Sequence, residues 1–166
     1  YILEINRKTD ILNWMITNFK MNNKNYGFSF HNTENNAFNL FYMHYQMYNK
    51  KNTNIKPFIL IGRTGLSKVN DNKLNLVDSN LKDINTFEKT PQSIGYVCKK
   101  YDMGYDFDKL DFIIFSDKKT SHQDIIQCIG RGTRPDRLGI NGKNKNKLLT
   151  VMPVSYTHLT LPTTPY

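Results

Sequence analysis

Gln127, Gly130, Arg131 and Arg134 stand at Q-x-x-G-R-x-x-R spacing in a 166-residue chain. Arginine keeps its charge at any working pH, and its forked donors match the oxygens of a terminal phosphate, where lysine offers only a point charge. If residues 120–124 open a helix, Gln127 falls one turn before Arg131. Arg134 then sits near the helix end, where Pro135 stops it. The polar groups would converge on one ligand, which suits sensing of a nucleoside triphosphate. Upstream, Gly104 and Asp106 form a G-x-D turn that leads through an apolar run, Phe112 to Phe115, into this segment.

The rest of the sequence alternates strand and helix signals. Thr9 or Asp10 is suited to cap a helix through Lys20, with Ile11, Met15 and Phe19 at helical spacing and Trp14 beside them. Strands are expected at 26–30, 57–62, 94–99, 111–116 and 148–152. Helices are expected at 34–48 and 81–88, and residues 63–80 read as a polar loop. Phe38, Phe41, Tyr42 and Tyr45 share a helical face, which predicts packing on the sheet rather than stacking on bases. Such alternation predicts a parallel α/β architecture with right-handed crossovers and a ligand edge at the carboxyl ends of the strands.

Residues 93–134 resemble the second RecA-like domain of superfamily 2 helicases and translocases: a strand, motif V written around Gly104-x-Asp106, another strand, and motif VI from Gln127 to Arg134. Tyr26 to Phe30 followed by His31-Asn-Thr-Glu34 resembles that domain's opening strand and motif IV. The resemblance implies a RecA-like parallel sheet flanked by helices over residues 24–153, preceded by a helical or connecting segment, 1–23. It also implies roles. Arg134 would be an arginine finger reaching the γ-phosphate of ATP, Arg131 a second phosphate contact or cleft organiser, and Gln127 would orient them or touch the nucleotide. Gly104, Asp106 and Gly130 would serve the nucleotide site, and Asn32 would touch nucleic acid; His31 would contact phosphate or a base edge, or equally be a satisfied loop histidine. Many relatives carry glutamate before the motif V glycine, where this chain has Met103.

The sequence contains no G-x-x-x-x-G-K-S/T loop; Gly62-Arg-Thr-Gly-Leu-Ser-Lys68 has glycine and lysine at the wrong spacing. A D-E-x-D or D-E-x-H run is also missing. By the resemblance, ATP with Mg²⁺ would be held mainly by an N-terminal RecA-like domain of the same polypeptide, and this part alone would be inactive. Val154 onward resembles a translated sequencing adapter, so residues 154–166 are expected to be a non-native tail and are set aside from the fold.

A net charge of +9 points to a polyanionic partner, DNA or RNA. Lys99, Lys100, Lys143, Lys145 and Lys147 cluster around the motif-bearing region and are candidate phosphate contacts. The lysine-rich loop reads equally well as a solvated connector. Cys98 and Cys128 lack metal-ligand spacing, and His44 and His122 add none, so no metal site is expected. Reduced thiols suit an intracellular protein, cytoplasmic, nuclear or virally encoded. The apolar runs are too short to cross a bilayer. The expected function is one half of an ATP-dependent helicase or translocase. The alternatives are a degenerate RecA-like module that grips nucleic acid without hydrolysis, and a motor subunit of a restriction or repair complex.

Overall fold

The computed structural model describes residues 2–98, 107–117 and 150–152. Within them run α1 (Ile2–Met21), β1 (Tyr26–His31), α2 (Glu34–Asn49), β2 (Lys56–Leu60), α3 (Lys68–Asn75), a 3₁₀ turn (Ser79–Lys82), α4 (Ile84–Glu88), β3 (Ser93–Cys98), β4 (Phe112–Phe115) and β5 (Thr150–Met152). The strands form one parallel sheet in the order β2-β3-β1-β4-β5. β1, β3 and β4 are buried on both faces and are mostly apolar.

Alternation along the strands sorts the core into two layers. Gly27, Ser29 and His31 share one face with their register partners Ile94, Tyr96 and Cys98. Phe19 of α1 meets Phe112 on that face, with ring centroids 5.2 Å apart, and Phe41 and His44 of α2 meet Tyr96. Tyr26, Phe28 and Phe30 line the other face. There the fully buried Phe87 of α4 packs on Tyr26, Phe28, Phe58 and Phe107. Gly95 makes room for this layer: a Cβ there would lie 3.0 Å from Leu60 Cδ1 and 3.2 Å from the Phe28 ring.

Three expectations are corrected. Helix α1 begins at Ile2, so Thr9 and Asp10 lie inside it rather than at its start. The expected loop 63–80 contains α3, capped by the Ser67 side chain on the Asn70 N–H, and opens the 3₁₀ turn. The expected 81–88 helix divides at Asp83, whose side chain accepts from the Thr86 N–H and starts α4 afresh. The aromatic face of α2 is as read: Phe38 and Phe41 are buried, and Tyr42 and Tyr45 pack against the core.

Candidate functional site

Because β1, β3 and β4 are adjacent and parallel, their carboxyl ends open on one edge of the sheet. This is the edge where α/β sheets receive ligands. Cys98 ends β3 directly before Lys99, and Ser116 and Asp117 follow β4 directly before Lys118. Gly104, Asp106, Gln127, Gly130, Arg131, Arg134, Lys99, Lys100, Lys143, Lys145 and Lys147 lie outside the described residues, as do the expected helix from 120 and the tail from 154. Cys98 is a buried thiol outside any disulfide.

The end of β1 carries the described part of the site. His31 Nε2 lies 2.8 Å from Ser29 Oγ, which in turn lies 2.6 Å from Ser116 Oγ. His31 Nδ1 stands 3.7 Å from Asp117 Oδ1 and has no hydrogen-bond partner. That separation exceeds a hydrogen bond, so the imidazole acts on the carboxylate through charge when protonated. His31 is only 2% exposed, and its side chain belongs to the face covered by α1 and α2. Asn32, by contrast, is exposed.

Asp117 ties β4 to the turn after β1. Its Oδ2 accepts from the Asn32 N–H at 2.8 Å and from Asn36 Nδ2 at 2.9 Å. Burial on its own would push this carboxyl up, but the His31 imidazole, the Asn32 N–H and the Asn36 amide outweigh it and bring it down to about 2. Thr33 adds the ordinary cap of α2, its Oγ1 accepting from the Asn36 N–H at 3.1 Å. A carboxylate at the amino end of a 16-residue helix is also stabilised by the positive end of its dipole.

A second contact holds the loop after β2 against the same helix end. Glu34 Oε1 accepts the Gly65 N–H at 2.6 Å, and Asn35 Oδ1 accepts the Ser67 N–H at 2.9 Å. A Cβ on Gly62 would come within 2.9 Å of Glu34 Oε2, and one on Gly65 within 2.6 Å of Oε1, so both glycines let the loop close over the carboxylate. Arg63, exposed on that loop, bonds Asp71 Oδ1 through Nε at 2.8 Å. Among the described residues, no cluster of three His, Cys, Asp or Glu side chains is placed to hold a metal ion, and no helix is long and apolar enough to cross a membrane.

Sequence reading missed Asp117. The available signal was an acid directly after an apolar parallel strand, at the carboxyl edge of the sheet. It also missed Asp111, which brackets the other end of β4. Its Oδ1 accepts the Tyr26 N–H at 3.0 Å and squares the start of β1 against β4.

No family model and no curated protein matches the sequence. Solved structures do. S. cerevisiae Dbp5 bound to RNA and ADP BeF3 is similar at 16% identity and a TM-score of 0.53, over 93% of this chain and 35% of that one. Domain 2 of the Mss116p DEAD-box helicase bound to an RNA duplex gives 16% identity and a TM-score of 0.54, over 89% and 49%. T4 UvsW gives 15% identity and a TM-score of 0.50, over 88% and 24%. This chain thus spans half or less of the length of these structures. Its fold is the RecA-like parallel sheet with flanking helices seen in these structures.

Proposed function

We propose that this chain is the second RecA-like domain of an ATP-dependent nucleic-acid helicase or translocase. The observation that carries the reading is topological. The turn after β1, the segment leaving β3 and the segment leaving β4 start from one edge of one parallel sheet. They bear, in order, Asn32, then Gly104 and Asp106, then Gln127, Arg131 and Arg134. The segments that carry these residues therefore start from one edge of the sheet, the edge at which, on this reading, a nucleotide held by a partner domain would be met.

The chemistry follows from those residue types. Phosphoryl transfer is accelerated mainly by positioning and by cations placed where charge develops. Arg134 would reach the γ-phosphate from across the cleft and Arg131 would add a second contact, with Gln127 orienting them. Gly104, Asp106 and Gly130 would shape the nucleotide side of the cleft. A finger supplied by one domain to ATP and Mg²⁺ held by another makes hydrolysis follow domain closure, which moves the bound strand. Asn32 and the lysines at 99, 100, 143, 145 and 147 would grip DNA or RNA, largely through phosphates.

The reading requires an N-terminal RecA-like domain in the same polypeptide. Extending the reading frame upstream of Tyr1 tests this. A G-x-x-x-x-G-K-S/T loop followed by a D-E-x-D or D-E-x-H run is the expected result. An upstream frame that encodes no phosphate loop would contradict it and favour a nucleic-acid-binding module without hydrolysis.

A further inference from the structure

We infer that Asp117 is a positioning residue for nucleic-acid contact, fixing the Asn32–Asn36 turn to the end of β4; the inference rests on the helicase reading above. One carboxylate oxygen accepts both the Asn32 N–H and the Asn36 side-chain amide, at 2.8 and 2.9 Å, across more than eighty residues of sequence. The other faces His31, itself buried and bonded to Ser29. Ser29 bonds Ser116, the neighbour of Asp117, so Asp117, His31, Ser29 and Ser116 close a ring of side chains between β1 and β4. The buried members of this ring cannot touch a ligand. What they can do is hold the exposed Asn32 at a fixed place on the sheet edge.

The arrangement also decides how the turn meets a phosphate. The first N–H groups of a helix ordinarily receive anions. Here the Asn32 N–H just ahead of α2 is taken by Asp117 and the Asn36 N–H by Thr33. On this account the Asn32 side chain, whose place depends on the Asp117 tether, contributes to engaging a strand. An opposite role is conceivable for the same carboxylate, as an internal anion that an incoming phosphate must displace. The two roles predict opposite signs.

The test uses the complete polypeptide and a fluorescent oligonucleotide, single-stranded DNA and RNA in turn, at fixed salt. Asp117→Ala is expected to raise the Kd about tenfold, the cost of losing hydrogen bonds to a charged group. It should raise the nucleic-acid concentration for half-maximal ATPase equally and leave kcat at saturation within twofold. Asp117→Asn keeps an acceptor for the Asn32 N–H and should recover most of the affinity. Asn36→Ala removes only one partner and should give a smaller loss in the same direction, even if Asp117→Ala folds poorly. Unchanged affinity, or tighter binding by Asp117→Ala, would overturn the inference. Wild-type protein that binds neither oligonucleotide would instead overturn the helicase reading beneath it.

Discussion

His44 Nδ1 accepts the Tyr96 hydroxyl at 2.8 Å, deep between α2 and β3, while Nε2 donates to the Ile55 carbonyl at 2.8 Å. Both side chains are fully buried, and this tautomer satisfies all three polar groups. Burial drives the imidazole down to about 4, against an opposing contribution from the Ile55 carbonyl, so His44 is neutral in the folded protein. Burial likewise pushes the Tyr96 phenol well above its usual value.

A pH dependence follows. The unfolded state binds a proton at His44 near pH 6.5 while the folded state does not, so stability is present above that value and falls as pH drops from 6.5 towards 4. The shift corresponds to a loss of about 3 kcal/mol across the window. Urea unfolding at a series of pH values should show this slope, and His44→Leu should flatten it, at the cost of an unpartnered Tyr96 hydroxyl. An identical slope in His44→Leu would assign the dependence to other groups.

Phe87 is the pivot of the opposite layer. It stacks on Phe28 at 5.4 Å and meets Tyr26, Phe58 and Phe107 edge-on or tilted. Phe87→Ala should cost about 3–5 kcal/mol, because four rings lose a common neighbour and cannot all collapse into the space. Phe87→Leu should retain most of the stability. Chemical denaturation measures both, and a loss below about 1 kcal/mol for the alanine variant would mean that α4 is peripheral.

Some of this architecture could be read in the sequence and some could not, for physical reasons. The runs 26–30 and 112–115 announce buried parallel strands because no polar residue interrupts their apolar face for long, and α2 announces itself through the spacing of Phe38, Phe41 and Tyr45. Helix α3 escaped because Lys68–Asn75 buries only Leu74 and Asn70. Its stability comes from the Ser67 cap and from Asn70 donating to Asn35 and Asn39, contacts made across elements rather than along the chain. The surroundings of His31 were hidden for a related reason. A polar residue ending a strand suggests exposure, but β1 parity turns it under α2 beside Ser29, and Asp117 becomes its neighbour only once β4 is in place. The motif spacing around Arg131 and Arg134 was legible directly, since it depends on sequence alone.

The lysines at 143, 145 and 147 separate two accounts of the net positive charge. As phosphate contacts they release counterions on binding, and changing all three to alanine should flatten the dependence of nucleic-acid affinity on salt by about two to three units of log–log slope. Binding titrations from low to moderate salt measure this. An unaltered slope returns them to a solvated connector between elements.

The central claim is that Arg134 acts on ATP held by another domain, and the direct test compares wild-type complete polypeptide with Arg134→Ala. Both should bind a fluorescent ATP analogue with similar affinity, whereas the variant should lose nucleic-acid-stimulated hydrolysis by about 10³-fold, the scale expected for an arginine finger. Unchanged turnover in Arg134→Ala, with nucleotide binding intact, would contradict the account.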